Sequence, residues 1–315
     1  MTVKHENRAD DTREAANQRP TLVVDWSLRD TIVVTGPDRV TWLNAIVTCD
    51  VARVGPSNGV WGLLLTKQGK IVTDLTVVAG EGRLYVSVQP SQGAAVLEFL
   101  DRMLIMEDAE LEDASARYSW LTLHGPAAVA EASRVAAATG SSVAAVDWTG
   151  LGGAALVVSR EHLDAVRREL AASSAVSEAD EADWLALRLE RGLPEMGIDF
   201  GPDDNPHQAS LDHRAVAWDK GCYLGQEVVC MVDMRGKVRR RLVPIILDGA
   251  VSPARSAAVM VAGRDEPVGT VTSGVLSRRL GRGIALARVL TTHSEPGTSV
   301  SVDGVAGRVT ELPDA

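Results

Sequence analysis

Several things are scarce in this 315-residue chain, and each scarcity excludes something. Three cysteines, Cys49, Cys222 and Cys230, form no even framework and no CxxC pair, so neither a disulfide scaffold nor structural zinc is indicated. Reduced thiols fit an intracellular compartment. Basic charge is outnumbered, 32 Lys and Arg against 42 Asp and Glu, and the net charge of −10 excludes a protein that coats nucleic acid non-specifically. No segment reaches about 18 uninterrupted apolar residues, the length a membrane span requires. Met1 to Pro20 is polar and has no apolar stretch of the kind a signal peptide carries, so a disordered tail on a cytoplasmic protein is the expectation. Gly36 stands between a strand and a helix pattern, but the rest of a GxGxxG loop is missing.

What is present is a globular chain with 45% hydrophobic residues, enough for two or three subdomains. The β-branched run Thr31 to Thr35 reads as a strand, and Pro37 opens a helical pattern through Val40, Leu43, Ile46 and Val47. Val60 to Leu65 and Ile71 to Val78 read as a hairpin around Thr66-Lys67-Gln68-Gly69-Lys70, followed by a strand from Arg83 and a helix that Ser91 can cap. Asp74 interrupts the second strand; it faces either solvent or a cleft. After the acidic stretch 107–113 the order repeats: strand Ser119 to Leu123, Gly125-Pro126, helix, strands, helix. Asp180, Glu181 and Asp183 then mark a helix start, ended by Gly192 and Pro194. The fold class expected is α+β: a tail (1–20), two related α+β subdomains (21–115 and 116–242), and a small C-terminal antiparallel β-barrel or sandwich (243–315).

Chemistry concentrates in Lys220-Gly221-Cys222-Tyr223-Leu224-Gly225-Gln226-Glu227, which follows a long loop-like stretch from Pro194 to Asp219. A thiol, an ammonium, a phenol, a carboxamide and a carboxylate share eight residues, with two glycines that let backbone approach a ligand. Lys220 is placed to favour the Cys222 thiolate, and Glu227 and Gln226 to accept and donate within the same turn. Downstream, Arg235, Lys237, Arg239, Arg240 and Arg241 form a basic run suited to an anionic ligand tail. His124 and His162 read as structural or surface histidines, since no second ligand stands at metal spacing.

The octapeptide resembles the signature of the YgfZ family of folate-binding proteins, relatives of the glycine cleavage T-protein. Pro206-His207-Gln208, Arg235-Gly236, Arg188-Leu189-Glu190-Arg191-Gly192 and Thr66 to Asp74 extend the resemblance from about Thr21 to the end. It implies a ring of subdomains around a tetrahydrofolate site, with Cys222, Lys220, Glu227 and Asp74 as catalytic candidates. Asp74, Arg188, Tyr223, Gln226, Arg235, Arg239 and Arg240 are the implied folate contacts. It further implies support of iron–sulfur assembly or repair, and hence of tRNA modification, with folate and iron–sulfur client or assembly proteins as partners, and with no direct nucleic acid and no membrane. Two departures from the T-protein stand out. Thr73 replaces the first of two adjacent carboxylates, and Trp148-Thr149-Gly150-Leu151-Gly152-Gly153-Ala154 lacks the acid that anchors the pterin. A pterin edge rich in donors needs an acceptor.

Three functions follow: a folate-dependent iron–sulfur factor with a reactive Cys222, an aminomethyltransferase or demethylase of the T-protein type, and a non-catalytic folate sensor in which Cys222 only packs. A Cys/His hydrolase using Cys222 with His207 or His213 has the residue types without a recognisable oxyanion arrangement.

Overall fold

The computed structural model describes residues 20–236 and 238–311. The expected tail, apart from Pro20, and Lys237 of the basic run lie outside the described residues. In chain order the first part holds β1 (Thr21–Asp25), β2 (Asp30–Thr35), α1 (Arg39–Asn44), β3 (Val60–Leu65), β4 (Ile71–Gly80), β5 (Arg83–Val88), α2 (Gly93–Asp101) and β6 (Glu110–Asp113). The second holds β7 (Tyr118–His124), α3 (Ala128–Thr139), β8 (Ser142–Ala145), β9 (Gly153–Ser159), α4 (Leu163–Ala171), β10 (Val176–Glu178) and α5 (Glu181–Glu190). Helix α6 (Gln226–Arg235) precedes the last strands, β11 (Arg240–Leu247), β12 (Ala258–Met260), β13 (Gly269–Ser277), β14 (Arg282–Leu290), β15 (Ser299–Val302) and β16 (Val305–Val309). None of the described helices is long and apolar enough to cross a membrane.

Two five-stranded sheets result, with strand orders β3-β4-β5-β2-β6 and β10-β1-β7-β9-β8. Sheet membership departs from chain order at one strand. β1 leads directly into β2, yet pairs with β7 and β10 of the second sheet. Strands β2 to β6 make up the first sheet by themselves, and because β1 belongs to the second, a boundary at residue 115 does not separate the sheets.

The sheets pack face to face, and the reason is visible in strand alternation. On β2, Ile32 and Val34 meet Trp42, Leu43, Val96 and Leu100 of α1 and α2, while Val33 points the other way, into the layer with Val78, Trp120 and Trp148. On β7, Leu121 and Leu123 lie under α3 and α4, and Trp120 faces the first sheet. Strands buried on both faces read as continuous apolar runs, which is what Thr31 to Thr35 and Ser119 to Leu123 are.

The C-terminal strands close into a six-stranded barrel, β11-β14-β13-β12-β15-β16. Ala285, Ala287 and Val289 of β14 fill it; Ile284 and Leu286, on the outer face, pack on Leu185 and Leu189 of α5. Helix α5 begins in a capping box, Asp180 accepting from the Asp183 amide at 2.8 Å, so the acidic cluster is indeed a helix start. Ser91 does not cap α2. It sits at φ 61°, and the Gly93 amide is taken by Asp30 Oδ2 of β2 at 2.7 Å. Helix α6, which starts inside the octapeptide, was not expected, because Val228 to Met234 mixes apolar and polar residues without a clean stripe.

Candidate functional site

Where β1 crosses to β2, the turn Trp26 to Arg29 passes between the two sheets and forms one wall of a cavity of about 390 Å³. Trp61 of β3, Trp148 beyond β8 and Trp184 of α5 add three more indoles. Trp26 meets Trp148 edge-on at 5.2 Å and Trp184 at 6.1 Å between ring centroids, a geometry that aromatic rings favour. Leu28, Leu193 and Met196 complete the apolar lining. The volume lies in the range of small-molecule sites.

Into this apolar surround project a few polar groups. Asp74 is 8% exposed. Its Oδ1 accepts from Arg29 Nη2 at 3.1 Å and from Gln89 Nε2 at 2.7 Å, and Trp61 Nε1 lies 3.4 Å from Oδ2. Arg29 is itself fixed by Ser87 Oγ at 2.7 Å and lies 5.1 Å from the Trp26 ring centroid. A carboxylate so restrained has one orientation.

On the opposite wall, Arg188 of α5 is almost wholly buried between two acids, Asp199 Oδ2 at 2.7 Å and Glu195 Oε2 at 2.9 Å from Nε. The second contact is close but poorly aligned, since Arg188 Nε has no hydrogen-bond partner among the described residues. The barrel holds this wall in place: Ser273 and Thr272 hydroxyls both donate to Asp199 Oδ1 at 2.6 Å, and Arg188 Nη2 donates to Ser273 at 2.9 Å. Burial raises the Glu195 pKa, opposed by Arg188 and reinforced by Asp199 and Asp74.

Of the residues singled out from the sequence, Asp74 and Arg188 line this cavity; Cys222, Lys220, Tyr223, Gln226, Glu227, Arg235, Arg239 and Arg240 do not. Lys220 is not directed at Cys222 as expected. Its ammonium donates to the carbonyls of Asn44, Val47 and Cys49 at 2.6, 2.8 and 2.7 Å, using all three protons on the chain end of α1, where helix carbonyls lack partners. Burial lowers its pKa. Cys222 is exposed, whereas Tyr223 is buried among Leu63, Leu65 and Leu242, with its hydroxyl unpartnered and its pKa raised by burial. Glu227 opens α6 and Arg235 is in its last turn; both are exposed, as are Arg239 and Arg240.

Of the two octapeptide glycines, one has a packing role. Gly225 has φ +82°, and a Cβ there would meet the Thr66 carbonyl at 2.6 Å, so it lets the loop seat on the Thr66 to Lys70 turn; Gly221 has open space around it. Cys49, the third thiol, is buried, which pushes its pKa up to about 12. His207 rests near Asp233 and Trp218, and His213 near Asp212; no hydrogen bond joins either ring to Cys222 among the described residues.

The two departures also take physical form. Thr73 shares its strand face with Leu75 and Val77, toward α1 and α2, while Asp74 faces the cavity; adjacent strand residues point to opposite faces, so an acid at 73 would not stand beside Asp74 in the cavity. In the turn after β8, Asp147 accepts from the Thr149, Gly150 and Gly152 amides at 2.8–3.0 Å and is fully engaged. The residues missed by sequence reading are Trp26, Arg29, Trp61, Gln89, Trp184 and Glu195. They are scattered from position 26 to position 195 and meet where the crossing from β1 to β2 passes between the two sheets. A larger groove of about 890 Å³ runs along α5 and the barrel, but of its acids Asp180 and Asp183 form the capping box of α5 and Glu190 is bound by Ser277 and Arg279.

Known proteins resemble this chain along most of its length. Residues 6–160 match the GCVT N-terminal domain, and residues 240–313 the glycine cleavage T-protein C-terminal barrel domain. The aminomethyltransferase of Streptomyces coelicolor is 31% identical over 310 residues, covering 89% of this chain and 81% of that protein. The mitochondrial aminomethyltransferase of Gallus gallus is 30% identical over 297 residues, covering 86% and 74%. A crystal structure of the glycine cleavage system aminomethyltransferase T from Bartonella henselae has the same fold, with a TM-score of 0.79 at 22% identity over 96% of this chain and 88% of that one.

Proposed function

The chain belongs to the glycine cleavage T-protein family, and from that premise we propose that it binds tetrahydrofolate in the tryptophan-lined cavity and transfers a one-carbon unit, with Asp74 as the working carboxylate. The observation that carries this reading is Asp74 itself, held by Arg29 and Gln89 and facing a hollow walled by four indoles. The residues fit the ligand class. Indole faces and edges suit a flat heterocycle, and the Trp148 N–H, buried without a partner, is a donor that a bound acceptor would satisfy. Tetrahydrofolate supplies a nucleophilic amine that accepts the one-carbon unit.

The chain's own contribution is orientation and charge. Asp74 is fixed where it can stabilise a cationic nitrogen or take its proton, and the surrounding apolar walls exclude water and strengthen that interaction. Thr73 does not weigh against transfer chemistry, because its side chain belongs to the face under the helices. Calorimetric titration of tetrahydrofolate tests the binding. An assay of aminomethyl transfer, read as methylene-tetrahydrofolate formed, tests the chemistry. Asp74→Asn keeps the shape and removes the charge; transfer is expected to fall by about 100-fold or more with binding retained. Unchanged transfer in that variant would exclude Asp74 from the reaction.

A second reading rests on the exposed thiol of Cys222 in the octapeptide, outside the cavity. As in the YgfZ-like reading, such a thiol can serve iron–sulfur client or assembly proteins while folate binds elsewhere. Cys222→Ser would then abolish rescue of iron–sulfur enzymes in a deletion strain yet leave folate affinity intact. Full rescue would remove this reading.

A further inference from the structure

Five acids line the cavity, and four are already occupied or outward-facing. Asp25 accepts from Ser27 at 2.7 Å and Arg167 at 2.5 Å; Asp74 is held by Arg29 and Gln89; Asp180 caps α5; Glu181 is exposed in the first turn of that helix. Glu195 differs. One oxygen lies beside Arg188, and the other accepts no hydrogen bond among the described residues. Its backbone is pinned on both sides, its amide donating to Asp199 Oδ2 at 2.9 Å and its carbonyl accepting from the Asp199 amide at 2.8 Å. Asp199 is in turn tied to the barrel through Ser273 and Thr272. The side chain is thus presented from a rigid turn with an open acceptor site.

We infer that Glu195 is the acceptor for the N–H edge of the bound heterocycle, replacing the acid that the turn from Trp148 to Ala154 lacks, and so sets which fused-ring ligands the cavity takes. This rests on the folate reading and deepens it. Ring systems with adjacent ring N–H and amino donors, as in a pterin, satisfy a carboxylate; isosteres lacking the amino group leave its free oxygen without a donor once the ligand has displaced water, the arrangement that discriminates most strongly. Arg188 lies beside one oxygen of the acid without covering the other, and Asp74 lines the same cavity.

The test is a two-by-two titration: unaltered protein and Glu195→Gln, each with tetrahydrofolate and with the analogue carrying a methyl in place of the pterin 2-amino group. The unaltered protein should prefer tetrahydrofolate by about 10- to 100-fold, and Glu195→Gln should lose that preference with its melting temperature retained. Glu195→Asp should recover part of it. The ratio of the two affinities is independent of the folded fraction, so partial unfolding does not obscure the result. A preference undiminished in Glu195→Gln would overturn the assignment alone. Absence of tetrahydrofolate binding to the unaltered protein would overturn the folate reading, and the assignment with it.

Discussion

His124 shows how a single side chain can be read from sequence for kind and not for consequence. It was expected to be structural, and it is: it packs 4.8 Å from Trp184 and 5.3 Å from Trp148 between ring centroids, with Nε2 on the Thr122 hydroxyl at 3.0 Å. Burial pushes its pKa down from 6.5 to about 3. In that interval the unfolded chain binds a proton that the folded protein does not, so the stabilisation is complete above pH 6.5 and declines as pH falls toward 3. Urea denaturation between pH 7 and pH 4 should show stability dropping by up to about 1.4 kcal/mol per pH unit from this group, and His124→Gln should flatten that part of the curve. An identical slope in both proteins would show that the ring takes its proton while folded. Asp74 was legible as an anomaly, a carboxylate in an apolar strand, but its direction depended on the second sheet. Glu195 was not legible, because the Asp199 that pins its backbone is itself held from the barrel by Ser273.

Elements were read well where burial imposed a period, and less well where other contacts decided. The barrel strands alternate and were found; α6 has no clear stripe and was not. Its entry is set by Gly225, whose left-handed backbone and 2.6 Å approach to Thr66 leave no room for a side chain. Gly225→Ala should cost about 2 kcal/mol or more in chemical denaturation, combining backbone strain with a clash against a carbonyl. Gly221→Ala, with nothing within 4 Å, should change stability by less than about 0.5 kcal/mol. Equal effects would show that the octapeptide does not seat on the turn as described. The octapeptide drew attention as a site by its composition, yet much of that composition is used locally: Lys220 on three carbonyls, Tyr223 in the core, Gly225 on the turn.

At the level of the whole molecule, the two α+β layers and the barrel meet at Asp199, whose side chain is wholly buried and accepts from Arg188, Ser273 and Thr272. Arg288 of β14 adds a second tie through the Asp199 carbonyl at 3.0 Å and the Asp204 carboxylate. Removing one partner of a buried ion pair strands the other, so Asp199→Ala should destabilise the protein by about 3–5 kcal/mol in equilibrium unfolding and weaken folate binding by freeing the Glu195 turn. A loss below about 1 kcal/mol would show that the barrel is held by its apolar contacts with α5 instead. The three-part architecture was legible from the order of patterns; the placement of β1 in the second sheet was not, because nothing local tells a strand which of two similar sheets it will join.

The placement of β1 bears on the order in which the molecule can be assembled on a ribosome. β2 emerges with one flank unfilled until residue 113 is synthesised, and β1, already outside the exit tunnel, has no sheet neighbour until β7 follows it. The first sheet can close from residues 30–113 alone while β1 stays unpaired, and a chain cleaved between residues 115 and 116 would leave the second fragment without the strand that stands between β10 and β7.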